Sequence, residues 1–434
     1  MSERLQAFRG AILHFFADPG PGVDAKAYAF HPDGVLLVRD GHVERMGAAR
    51  DVLPTLPQGL PVEHHPRGLI VPGFVDPHIH YSQTDVIASA GRHLLHWLET
   101  YTFPQESRFG DPVHAGEVAE FFLDELLRHG TTTALVFGTV HKESVTAFFQ
   151  AASRRGLRMA AGKVLMDRHS PEALCDTPAT GIADSEALIA AWHGRERLAY
   201  AITPRFAITS SDEQLAMAGA LAQRHPTTLV QTHVAENLEE VAWARKLFPA
   251  ARSYLDVYDR HGLLREGAVY AHCLHLDADD RTRLAQSGAT AAFCPTSNLF
   301  LGSGLFDFAA ADKAGHAVAV ATDVGGGTSF SMLRTLGEAY KVAQLLGQTL
   351  SPIRAFYLAT LAGARALRMD HAIGNFTPGK EADFVVLDGG GVPLVERRLA
   401  AAATLEDRLL CLMMLGDERS VRATHVLGRD VKPR

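Results

Sequence analysis

Eight times between about residues 70 and 370 the chain passes from a short apolar run of β type into a helical pattern, and this rhythm restricts the fold more than any other feature. The runs are LIVPGFVD ending at Asp76, TTTALVF at Phe137, RMAAGKVLM at Met166, LAYAITP at Pro204, TTLVQTHV at Val234, AVYAHC at Cys273, ATAAFCP at Pro295 and HAVAVATD at Asp323. Between them lie segments with helical spacing, such as HAGEVAEFFLDELLRHG and SDEQLAMAGALAQRH, and glycines placed to stop helices at Gly130, Gly156 and Gly262. Eight β-then-α units predict an α/β fold, a (β/α)8 TIM-type barrel, with a doubly wound open sheet as the competitor. The two ends of the chain have a different texture. HPDGVLLVRDGHVERMG holds two apolar runs split by the hairpin dipeptide Asp40-Gly41, Asp33-Gly34 marks an earlier turn, and the C-terminal strands turn near Gly428. The expected organisation is therefore a small β-sandwich-like domain formed by both termini, residues 1–68 and 374–434, around a barrel at 69–373.

Composition narrows the function. The net charge of −7 argues against a nucleic-acid partner, because binding a phosphate backbone needs a basic face. A small neutral substrate suits it better. No apolar run reaches the length of a membrane span, and the N-terminal apolar stretch reads as a strand rather than an export signal. The four cysteines are scattered without a CxxC pair, which fits free thiols and a cytoplasmic setting. Histidine is the outlier, with 22 residues in 434, about twice ordinary usage.

In a barrel, catalytic groups come from the C-terminal ends of the strands. Run one is followed by His78 and His80, run five ends around His233, run six holds His272 and run eight ends at Asp323. Imidazoles with a carboxylate suit Zn²⁺ or Fe²⁺ with a position left open for water. Each piece alone is weak: a chain this rich in histidine contains about one HxH by chance, and a lone His is more often a core residue than a ligand. The conjunction is what counts, since all five fall at the same end of different runs. His275 rivals His272 but lies beyond the run. Glu236, three residues past His233, could shuttle protons or merely open the helix ENLEEVAWARKLF. Lys163 lies inside run three, and run four ends in Pro204-Arg205 without a lysine, so one metal is expected rather than a lysine-bridged pair. His141, His169 and Trp97 are further pocket candidates, whereas His64, His65, His93, His96, His129 and His193 read as structural.

PGFVDPHIH (72–80) resembles the opening signature PGFxDxHxH of the amidohydrolase superfamily. The segments YSQTDVIASAG, HWLETYTFPQE, ITPRFAITSS, QTHVAENLEEV, AHCLHLD, FCPTSNLFLGSGLF and ATDVGGGTSFSML resemble its guanine deaminase branch over nearly the whole chain. Pro77 stands where that family often has a small residue. The resemblance implies one Zn²⁺ per subunit, with Fe²⁺ as the alternative, held by His78, His80, His233 and His272 with Asp323. It implies Glu236 as proton shuttle, assisted by Asp323 and His272, and Gln83, Arg205 and Phe206 as the residues that read and stack on guanine, with Glu236 beside them. It further implies a homodimer acting on guanine and water. The alternatives are another substrate within the superfamily (an aminopurine, pyrimidine or triazine) and a non-catalytic scaffold on the same fold. The scaffold fits poorly, because this chain keeps all five proposed ligands.

Overall fold

The computed structural model describes residues 4–91 and 93–433. Strands β1 (Leu5–Phe15), β2 (Tyr28–Arg39), β3 (His42–Ala48) and β4 (Val62–Pro72) precede the barrel strands. Those are β5 (Phe74–His80), β6 (Thr131–Phe137), β7 (Arg158–Gly162), the short β8 (Val164–Leu165), β9 (Leu198–Pro204), β10 (Leu229–Val234), β11 (Ala268–His272), β12 (Thr290–Phe293) and β13 (Ala317–Val320). The chain returns to the first layer with β14 (Phe384–Leu387), β15 (Val421–Val426) and β16 (Arg429–Asp430).

The barrel strands pair in parallel in chain order from β5 to β13, with β8 a short extension that also pairs with β9. The rim is closed by backbone hydrogen bonds from Asp323 N to His78 O (3.0 Å) and from His80 N to Val324 O (2.7 Å). A doubly wound open sheet has no such seam. The surrounding helices follow from their apolar spacing. In Pro112–Arg128, Ala115, Val118, Ala119, Phe122, Leu123, Leu126 and Leu127 are buried on one face, Asp111 caps the start, and Gly130 follows the end at φ 84°. Gly156 and Gly262 likewise take positive φ after their helices.

Both termini enter one seven-stranded sheet in the order β16-β15-β14-β4-β1-β2-β3. Asp40-Gly41, both at positive φ, forms the two-residue turn between β2 and β3, and Leu427-Gly428 does the same between β15 and β16. Two expectations are corrected. Asp33-Gly34 is no turn: it lies inside β2 beside a register shift against β1, where a Cβ on Gly34 would come within 2.9 Å of the Ile12 side chain. The run LIVPGFVD is not a single strand. Its first half ends β4, paired with β1 and β14, and its second half begins β5 in the barrel. The break falls at Gly73, where a Cβ would sit 2.1 Å from Thr132 Oγ1, so only glycine lets the chain pass. No helix among the described residues is long and apolar enough to cross a membrane.

Candidate metal centre and active site

Because alternate residues of a strand face the same way, β5 carries His78 and His80 to one side. Their Nε2 atoms lie 3.3 Å apart, and His233 Nε2 at the end of β10 is 3.2 Å from that of His80. Asp323 Oδ1, three residues beyond β13, is 3.2 Å from His78 Nε2 and 3.4 Å from His80 Nε2. Four ligands placed tetrahedrally at ~2.0–2.1 Å from an ion are themselves about 3.3 Å apart. The four side chains thus have the spacing of a coordination shell, and they form one of two groups that could hold an ion.

Protonation agrees. His233 Nδ1 lies 2.7 Å from the Arg205 carbonyl, which takes the ring proton at Nδ1 and leaves the Nε2 lone pair facing inward. Burial lowers the pKa of His80 to about 4 and that of His272 to about 3, and it drives His233 well below its ordinary value, with the neighbouring imidazoles reinforcing the shift. Burial would raise Asp323, but the imidazoles of His78 and His80 outweigh it and hold the carboxylate well below its usual range. Neutral imidazoles at His80 and His233 with an ionised Asp323 are the form in which such residues bind a divalent cation.

His272 and Glu236 stand on the open side. His272 Nε2 is 3.3 Å from Glu236 Oε2 and 3.9 Å from Asp323 Oδ2, and its Nδ1 is 2.9 Å from Asn298 Nδ2. The five expected ligands therefore divide into a cluster of four and His272 beside it. The second group pairs His272 with His78, Asp323 and Cys294, whose buried thiol is pushed well above its ordinary pKa and so stays protonated. His275 turns away to the Ser303 carbonyl at 3.0 Å. Burial, then the charges of Glu240 and Asp323, raise Glu236 well above the usual carboxyl range, while Ser303 Oγ donates to its Oε1 at 2.9 Å. Ala235, His272, Cys273 and Asp323 all take positive φ, a strain of ~1–3 kcal/mol each that packing must sustain.

His80, His233, Glu236, His272 and Asp323 line one cleft with Gln83, Arg205 and Phe206. Gln83 sits in the turn Tyr81–Val86 that follows β5, and Arg205 and Phe206 directly follow β9. Trp97, His141 and His169 do not border the cleft: Trp97 is buried in the core, His141 begins the helix Lys142–Arg154, and His169 lies against Trp243. Lys163 is buried in an ion pair with Asp176 and takes no part in the cluster.

The protein-family model described as the amidohydrolase family matches residues 69–428. The chain belongs to the amidohydrolase family. This amidohydrolase is 49% identical to the guanine deaminase of Escherichia coli (strain K12) over 99% of its own length and 98% of the relative's. A solved structure of E. coli guanine deaminase superposes with a TM-score of 0.95, at 49% identity, over 98% of this chain and 99% of that one. A guanine deaminase from C. acetobutylicum, solved with guanine bound in its active site, superposes with a TM-score of 0.88 at 28% identity, covering 98% of this chain and 100% of that one.

Sequence reasoning missed several residues of this amidohydrolase's site. Asp76, fully buried and raised to about 7 by desolvation, accepts from His78 N at 3.3 Å and from the backbone and hydroxyl of Thr322, binding the first barrel strand to the last. Asn298, in the short helix Pro295–Phe300 after β12, and Ser303, in the loop beyond it, hold His272 and Glu236. Glu106 lies behind Gln83 and Arg205. Asp76 stands inside the PGFVDPHIH signature, which could have flagged it. Glu106, Asn298 and Ser303 fall within the segments HWLETYTFPQE and FCPTSNLFLGSGLF, but short helices and a loop give them no periodicity that singles them out.

Proposed function

We propose that this amidohydrolase is a guanine deaminase, replacing the 2-amino group of guanine by oxygen from water to give xanthine and ammonia. The observation that carries the proposal is the convergence, on one buried cleft, of a four-donor cation cluster, a carboxyl kept protonated at Glu236, and the polar pair Gln83 and Arg205 beside the Phe206 ring. The relatives named guanine deaminase support the substrate.

His78, His80, His233 and Asp323 hold one Zn²⁺ per subunit in this reading, Fe²⁺ being the alternative for the same nitrogen and oxygen donors. When bound, the ion supplies Lewis acidity and makes a water acidic enough to react near neutral pH. The chain's residues do the rest. Arg205 and Gln83 hold the polar edge of the purine by directional hydrogen bonds, and Phe206 stacks on its face. Glu236, protonated in the resting site, gives its proton to a ring nitrogen beside C2, which makes that carbon more electrophilic. Asp323, assisted by His272, takes a proton from the attacking water. The water oxygen bonds to C2, and Glu236, now ionised, takes the remaining hydroxyl proton and passes it to the amino nitrogen, so that ammonia leaves as the C2–N bond breaks and the C2 carbonyl forms.

The scattered cysteines support a reducing, cytoplasmic setting, and the family likeness supports a homodimer, which sedimentation would test. The decisive experiment follows ammonia release from guanine, adenine, cytosine and a triazine with zinc-loaded protein, with metal content measured per subunit. Guanine is expected to be turned over faster than the others by about 10²-fold or more. Equal rates on all four would reject the substrate assignment.

A further inference from the structure

Glu106 ends the short helix Phe103–Glu106, is fully buried, and does not border the cleft. Its Oε1 accepts a hydrogen bond from Gln83 Nε2 at 2.9 Å, and its Oε2 accepts one from Arg205 Nη1 at 2.7 Å. One carboxylate thus bridges two of the polar side chains that line the cleft, although the three residues come from separate stretches of chain.

The bridge fixes polarity as well as position. A carboxylate only accepts, and the Gly325 N–H, which reaches Gln83 Oε1 at 3.3 Å, only donates. Between them they permit one orientation of the Gln83 amide. Arg205 is held as tightly, with Nη1 on Glu106 and its guanidinium carbon 5.4 Å from the centroid of the Phe103 ring, on the same short helix.

We propose that Glu106 is a positioning residue that sets which 2-aminopurines are accepted. By clamping Gln83 and Arg205 in one donor and acceptor arrangement, it creates the preference for a purine with a carbonyl oxygen at C6. The inference rests on the guanine reading above and deepens it. A rigid polar pair rejects an analogue lacking the matching group because its buried donors are then left without partners. A pair free to swing finds other partners, and the discrimination fades.

The test measures kcat and KM for guanine and for 2-aminopurine, which keeps the C2 amino group and lacks the C6 carbonyl, with 2-aminopurine scored also as a competitive inhibitor of guanine turnover. The native enzyme is compared with Glu106→Gln and Glu106→Asp. The guanine to 2-aminopurine ratio of kcat/KM is expected to fall about tenfold or more in Glu106→Gln and by less in Glu106→Asp, with KM for guanine rising more than kcat falls. The aspartate keeps a negative charge beside Arg205, so it remains informative where the glutamine variant fails to fold. A merely structural role would depress both substrates alike. An unchanged ratio in both variants, in a protein active on guanine, overturns this inference alone, whereas a native protein inert to guanine overturns the guanine reading and this inference together.

Discussion

The two rims of the barrel both bury charge, and they handle it in opposite ways. At the lower rim Arg158 opens β7, Arg197 directly precedes β9, and Asp383 directly precedes β14 in the terminal sheet, with Glu381 two residues before Asp383. Glu381 accepts from Arg158 Nε at 2.7 Å and from Arg197 Nη2 at 2.6 Å, Arg197 also pairs with Asp383, and Asp383 accepts from Leu427 N at 2.8 Å. Two cations meet two anions, and the chain satisfies itself. At the upper rim three imidazoles and a carboxylate face one point with their donor atoms turned on each other, and left-handed backbone holds Asp323 and His272 in place. That set has the spacing of the cation site proposed above. The lower cluster is built for cohesion and the upper one for chemistry, as expected of the two faces of such a barrel.

The contrast is sharpest where a ligand is deleted. His233→Ala is expected to bring metal content far below one ion per subunit and guanine turnover to background, read by elemental analysis and ammonia release. A variant retaining a full ion and measurable turnover would remove His233 from the cation cluster. Glu236→Gln, next in size, should keep its metal and lose ~10²–10⁴-fold in kcat, the range for a proton-transfer group. Near-native turnover there would place the shuttle elsewhere.

The difference between the rims also decided what could be read from sequence. The upper residues were legible because strand periodicity carries each of them to a strand end: His78 and His80 on β5, His233 on β10, His272 on β11. His272 and His275 were separable only by where the strand stops. The bridge from Glu106 to Arg205, 99 residues apart, and that from Glu381 to Arg158, 223 apart, follow no local pattern. They are agreements between distant side chains, and each partner alone looks like a surface charge. The division of LIVPGFVD at Gly73 was hidden for a related reason, since two strands of different sheets follow each other without a polar turn.

Acid should separate the rims again. Burial would raise Glu381, but hydrogen bonds from Arg158 and Arg197 pull it down to about 2. A depressed carboxyl contributes stability above its unfolded value of ~4.5, and this is lost as pH falls from there towards 2. The upper imidazoles also have depressed values, about 4 at His80 and about 3 at His272. In the metal-free protein the unfolded chain binds their protons first, so stability falls earlier, from ~6.5 downward. Glu381→Gln is expected to destabilise by about 3 kcal/mol at pH 7, because it leaves a buried guanidinium short of a partner, while kcat for guanine is unchanged. Denaturation of chelator-treated native and variant proteins between pH 7 and pH 3 checks this. The gap between them should persist to about pH 5 and close below it. A gap already closed at pH 6 would mean that Glu381 is not the group titrating.

The smallest expected effect lies at the boundary between the two kinds of residue. Phe206 follows β9, is nearly as buried as the core around it, and lines the same cleft as the cation cluster with no polar group in its own side chain. If its ring stacks on the purine, truncation removes a face-to-face contact made equally in the bound substrate and in the transition state. The loss belongs in KM, at ~1–3 kcal/mol for an aromatic against a base, and kcat should stay within a few-fold. Phe206→Leu keeps most of the buried apolar volume and no π-face, so it separates stacking from packing. Leu at 206 should raise KM for guanine nearly as much as Ala does, while thermal stability falls mainly in the alanine variant. If leucine restores KM together with stability, Phe206 belongs with the packing side chains of the barrel and not with the purine.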